Sequence, residues 1–189
     1  MIRSLVLVLG LIAGTAASAT TINNVMFDVA QNIMSEADMA GFNFKVGDTA
    51  SYNLDMGFIK GSMKMTVKEV AADQVVISQD MDLGFAGKQA CDMTLNPNTG
   101  EMKKMVCNGQ EQNPGDKGDI ELVESKEDTI TVPAGTFTCL YIKALEKTKN
   151  QTIEQWANPK QVPVFGMIKT IAPSQFGKIT IALTSYKRM

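Results

Sequence analysis

SYNLDMGFIKGSMKMTV, residues 51–67, alternates apolar and polar side chains along most of its length. Tyr52, Leu54, Met56 and Phe58 fall in one phase, and Met63, Met65 and Val67 resume it after Lys60-Gly61. A period of two sends successive side chains to opposite faces of a strand. Taking Lys60-Gly61 as a two-residue turn sets Ile59 opposite Ser62, Phe58 opposite Met63, Met56 opposite Met65 and Leu54 opposite Val67. Every apolar residue then shares one face, whereas a slip by one residue would destroy that agreement. The segment predicts an antiparallel hairpin with one greasy side.

The pattern continues downstream. Val75, Ile77, Met81 and Leu83 predict a third strand in phase, interrupted by Gln79. Asn98-Thr99-Gly100 suits a three-residue loop with glycine in the left-handed position. That loop pairs Pro97 with Glu101, Met93 with Met105 and Cys91 with Cys107. Two opposed cysteines read as a disulfide in an oxidising compartment or as two buried thiols, and the first is favoured. Cys139 is then left over as a buried thiol, with no histidine in the chain to activate it. Further strands are expected near 120–131, 136–147, 151–157, 162–171 and 177–187. The second of these is apolar on both faces (Phe137, Cys139 and Tyr141 against Leu140 and Ile142), which predicts a central position. The polar run from Gln112 to Asp119 reads as a long loop within one domain.

Upstream the period changes. Ile22, Val25, Met26, Val29, Ala30, Ile33, Met34 and Ala37 recur at helical spacing and predict one helix over about 22–40, with Gly41 placed to end it. Before it, Arg3, the apolar run Leu5 to Ile12, and Ala17-Ser18-Ala19 have the order of a secretory leader cleaved after Ala19. Its apolar run is too short to span a bilayer. The expected organisation is a signal peptide over 1–19 and a single domain over 20–189, periplasmic or secreted and not membrane-spanning.

Composition excludes several chemistries. Loss of the leader removes Arg3 and no acid, leaving 17 basic against 20 acidic residues, so nucleic acid is not an expected partner. The absence of histidine closes the Ser-His-Asp and Cys-His routes to nucleophilic catalysis and histidine metal sites. Asp116, Asp119 and Glu121 miss the calcium-loop spacing. Met63-x-Met65 alone is a weak soft-metal signal. We expect no metal, no cofactor and no enzyme, although a carboxylate pair acting as acid and base stays open.

Nine or ten strands at about 4.8 Å spacing make a sheet roughly 40 Å wide. One helix, about 10 Å across, cannot cover its apolar face. The expected fold is therefore mainly β with one N-terminal helix: a single curled antiparallel sheet, an incomplete or half β-barrel, wrapped around that helix.

Val132-Pro133-Ala134-Gly135-Thr136-Phe137 entering a strand, followed by Trp156-Ala157-Asn158-Pro159 and Val162-Pro163-Val164, resembles a segment of uncharacterised β-rich envelope proteins. These are similar to the LolA/LolB-like half-barrels, the lipoprotein-localisation carriers. The resemblance implies an incomplete antiparallel barrel with a hydrophobic cavity that takes acyl chains. Those carriers use a cavity arginine. Here Arg188, at the tail, is the one arginine after the leader, so a lipid-like ligand is expected rather than a lipoprotein.

The candidate ligand-binding residues are Leu54, Met56, Phe58, Met63, Met65, Met81, Met93, Met105 and Trp156. Flexible thioethers suit a surface that adapts to chain-like ligands, and they equally suit filling of a core. The expected function is non-enzymatic binding of a lipid or acyl chain in the apolar interior. The alternative is an envelope protein-interaction or sensor module with a filled interior.

Overall fold

The computed structural model describes residues 42–112, 119–174 and 177–189. The helix expected over 22–40 and the signal peptide lie outside the described residues. Within them are eleven strands: β1 (Thr49–Met56), β2 (Ile59–Val70), β3 (Val75–Asp82), β4 (Lys88–Leu95), β5 (Met102–Cys107), β6 (Gln110–Gln112), β7 (Ile120–Val132), β8 (Gly135–Glu146), β9 (Gln151–Ala157), β10 (Met167–Ser174) and β11 (Gly177–Lys187).

All eleven join one antiparallel sheet in the order β6-β5-β4-β3-β2-β1-β11-β10-β9-β8-β7. Two meanders, β1 to β6 and β7 to β11, are joined where β1 pairs with β11. Covalent geometry then forces the curl. A flat sheet with this strand order would be about 48 Å wide. Its two edge strands, β6 and β7, are consecutive in sequence, and the eight residue steps from Gln112 to Ile120 reach at most about 29 Å. The sheet has to bend until its edges come within that span.

The first hairpin turns elsewhere than its sequence suggests. Met56 faces Ile59, Leu54 faces Gly61 and Tyr52 faces Met63, so the turn is Gly57-Phe58 and not Lys60-Gly61. Gly57 has φ +79°, which suits the first central position of a tight hairpin turn, and its N–H donates to Asp55 Oδ1 at 2.9 Å. Gly61 instead lies in β2, where a Cβ would fall 2.5 Å from the Asp82 carbonyl oxygen. Close approach of backbones, not a turn, is its role.

Three further expectations change. Pro97 and Glu101 do not pair: a register shift between Thr94 and Leu95 sets Leu95 opposite Met102, and Gly100 closes onto Asn96. Met93–Met105 and Cys91–Cys107 keep their expected opposition. Residues 162–166 form a buried loop before β10, with the Val162 N–H donating to the Asn158 carbonyl. Finally, β8 is second from the edge rather than central. Its buried positions change phase between Tyr141 and Ile142.

The loop between β9 and β10 closes one end of the curl. Phe165 meets Phe42 and Phe44 edge-on, with ring centroids 6.4 Å apart in each case. Beside it the buried Tyr52 hydroxyl donates to the Met167 carbonyl at 3.3 Å.

Candidate functional site

Period-two alternation carries the methionines onto one face. Met63 lies opposite Tyr52 on β1 and Met81 on β3. Met65 lies opposite Ala50 and Gln79, and Met93 opposite Ile77 and Met105. Leu54, Met56, Met63, Met65, Met81, Met93 and Met105 are all buried on this face. The disulfide joins Cys91 to Cys107 within it, in the row that contains Met65 and Gln79. Gln79 does not interrupt β3 but faces inward, donating from Nε2 to Met63 Sδ at 2.7 Å.

Two of the expected ligand-binding residues are elsewhere. Phe58 sits in the β1–β2 turn and is 68% exposed, because moving the turn took it out of the strand. Trp156 points to the opposite side of the sheet, since its cross-strand partners are Tyr141 and Lys169. There its ring lies 4.9 Å from that of Tyr141. Its Nε1–H donates to Asp128 Oδ2 at 2.8 Å, and the Tyr141 hydroxyl donates to Glu154 Oε2 at 3.1 Å. Lys169 stands 5.3 Å over the Trp156 ring and Lys126 stands 5.2 Å over that of Tyr141, both within cation–π range.

The charges on this side follow from those contacts. The indole and Thr129 N–H donors hold the Asp128 carboxyl below the usual carboxylate range. Burial, then the hydrogen bond to Glu154, pushes the Tyr141 phenol up to about 12. Burial, then the nearby Asp128 charge, pushes the Cys139 thiol up to about 11, and that thiol donates to the Asp128 carbonyl at 3.6 Å. These shifts keep the phenol and thiol protonated at neutral pH, so neither is prepared as a nucleophile.

Sequence reasoning missed a pair on the inner face. Gln155 on β9 and Thr170 on β10 are directly opposed, and Gln155 also faces Ile142 while Thr170 faces Ile181. The two side chains are 4% and 1% exposed. Gln155 Oε1 and Thr170 Oγ1 have no hydrogen-bond partner. A polar residue at an inward phase was the available signal.

Two depressions flank these faces. One of about 520 Å³ lies over the polar side of β1 to β4, among Asn53, Ser62, Lys64, Asp80 and Lys88. The other, about 420 Å³, is bounded by Leu140, Ile142, Ala157 and Pro159 together with the polar Glu127, Thr138, Asn158 and Lys160. By register, Leu140, Ile142 and Ala157 share the face of Gln155. Among the described residues no group of three or more His, Cys, Asp or Glu side chains is placed to hold a metal ion, and no helix is long and apolar enough to cross a membrane.

Fold and site together define an open, strongly curled antiparallel sheet with a methionine-rich inner face. The same fold occurs in the hypothetical protein CT021 from Chlamydia trachomatis, with a TM-score of 0.54 at 10% identity over 82% of this chain and 93% of that one. A Bacteroides fragilis protein described as having a YmcC-like fold aligns more loosely, with a TM-score of 0.44 at 11% identity over 78% of this chain and 98% of that one. So does MucB, at 0.41 and 8% identity over 92% of this chain and 59% of MucB. No family model and no curated protein matches the sequence.

Proposed function

We propose that this chain is a non-enzymatic exported protein of the bacterial envelope, which holds a lipid or acyl chain against the methionine face of its curled sheet. One observation carries this reading: Leu54, Met56, Met63, Met65, Met81, Met93 and Met105 gather on a single inward face. Unbranched thioether side chains repack around guests of different shape at little cost. Each methylene removed from water contributes about 0.8 kcal/mol, so a long chain binds without any charged contact. The leader motif at the start of the sequence supports export.

Native mass spectrometry of protein taken from the periplasm without detergent tests it. An adduct with the mass of an acyl lipid is expected, and a clean spectrum overturns the reading. Met65→Lys should abolish the adduct. Because a buried lysine also threatens the fold, circular dichroism accompanies it, and the volume-conserving Met56→Leu should keep both fold and adduct.

A second reading, a protein-interaction module, is favoured by β7. This 13-residue strand lies at one edge of the sheet and is exposed on both faces from Glu121 to Glu127. An unpaired strand edge is a template for an added strand. Slowed amide exchange along β7 in the presence of a co-purified protein, with a lipid-free spectrum, would favour that reading.

A further inference from the structure

We propose that the interior site, on the acyl-chain reading above, selects an amphiphile bearing an O–H or N–H donor and seats that donor on Gln155 and Thr170. The two residues are cross-strand neighbours, on β9 and β10, which puts both side chains on the same stretch of the inner face. Both residues are more than nine-tenths buried, and Gln155 Oε1 and Thr170 Oγ1 lack a partner. Buried oxygens in that state are costly, and a native structure tolerates them where something else completes the bond. Their surroundings are apolar, with Ile142 opposite Gln155 and Ile181 opposite Thr170.

The depression of about 420 Å³ is lined not by Gln155 or Thr170 themselves but by Ile142, the cross-strand partner of Gln155, and on the proposal the guest enters there. Ile142 is shared between the pocket wall and the strand register of Gln155, while Leu140 and Ala157 continue the same face. An apolar body in the pocket would bring a terminal hydroxyl or amide to the pair of oxygens. Gln155 Oε1 accepts only, whereas the Thr170 hydroxyl both donates and accepts, so an alcohol can complete both groups while an ether accepts from Thr170 and leaves Gln155 Oε1 unpaired. A site built with unpaired acceptors discriminates strongly against an analogue that lacks the donor.

Calorimetric titration with 1-octanol and with its methyl ether, 1-methoxyoctane, separates donor recognition from chain burial. The wild-type protein should bind the alcohol at least tenfold more tightly. The near-isosteric pair Gln155→Met with Thr170→Val should bind both compounds alike and melt no lower than wild type, since the unpaired oxygens are gone. Equal wild-type affinities would overturn the inference, pointing to an enclosed water as the partner of these oxygens, and would leave the acyl-chain reading intact. A preference that survives in the double variant would overturn the assignment to these two residues. Binding of neither compound would overturn the acyl-chain reading and this inference with it.

Discussion

Ala134 donates its backbone N–H to the carbonyl of Leu183 at 3.1 Å, although three strands separate β7 from β11 in the sheet. Pairing of β8 with β9 ends where Leu140 meets Ala157, so the β7–β8 hairpin runs past β9. Its tip then reaches the far part of β11, where Phe137 packs 6.1 Å from Tyr186. The Val132-Pro133-Ala134-Gly135 turn thus braces the curled sheet against itself.

Removing the brace has a large expected effect. Phe137 is buried against the end of β11, so Phe137→Ala should cost about 3–5 kcal/mol, read from urea denaturation. A loss below about 1 kcal/mol would show that the contact carries little.

The disulfide holds β4 to β5 across a sequence separation of 16. Breaking it with reductant, or by Cys91→Ala with Cys107→Ala, should lower stability by about 3 kcal/mol. An unchanged unfolding midpoint with and without reductant would contradict the pairing.

Gly166 has φ +65°, and a Cβ there would lie 2.6 Å from the Pro159 backbone. Gly57 has φ +79° with nothing within 4 Å. Gly57→Ala should therefore cost only the left-handed backbone penalty of about 1–2 kcal/mol. Gly166→Ala should cost clearly more, because Pro159 has to move. Equal losses in thermal melts would sink the close-packing account of the β9–β10 loop.

Acid should act through Asp128. Its carboxyl is held low by Trp156 and Thr129, so its folded value lies below its unfolded one. Its stabilisation is present above the unfolded carboxylate range and fades as pH falls through the folded value. Asp128→Asn should flatten the loss of stability between about pH 5 and pH 2, with Trp156 fluorescence as the readout. Identical acid transitions in variant and wild type would be the contrary result.

Cys139 should resist alkylation. With the thiol pushed up to about 11, iodoacetamide at pH 8 should leave the folded protein unmodified and label it in urea. Raising the pH from about 9 toward 11 ionises the unfolded thiol first, so stability should fall across that window. Rapid labelling of native protein at pH 8 would refute the buried environment.

The inward set Leu54, Met56, Met63 and Met65 was legible because alternation needs no knowledge of the turn. Placing the turn at Gly57-Phe58 instead of Lys60-Gly61 changes which residues oppose, but by an even number of positions, so Leu54, Met56, Met63 and Met65 keep their face. Phe58 passed from strand to turn, Lys60 and Gly61 passed from turn to strand, and Ile59, expected opposite Ser62, is buried opposite Met56. Cys91–Cys107 and Met93–Met105 were legible for the same local reason, lying on either side of a short loop. The face of Trp156 was not legible, because β9 buries residues on both faces near its end and alternation alone does not resolve them.

Sequence by itself determined the face of the methionine strands and the opposed cysteines, both set by interactions between near neighbours along the chain. Tertiary structure alone decided the rest: that β1 pairs with β11, that β7 and β6 become the edges, and that Gln155 meets Thr170 beneath an apolar wall. Joining β1 to β11 brings together residues such as Leu54 and Ile181, far apart in sequence, and no local preference encodes that partnership. It arises from burying one continuous apolar face, a property of the whole sheet.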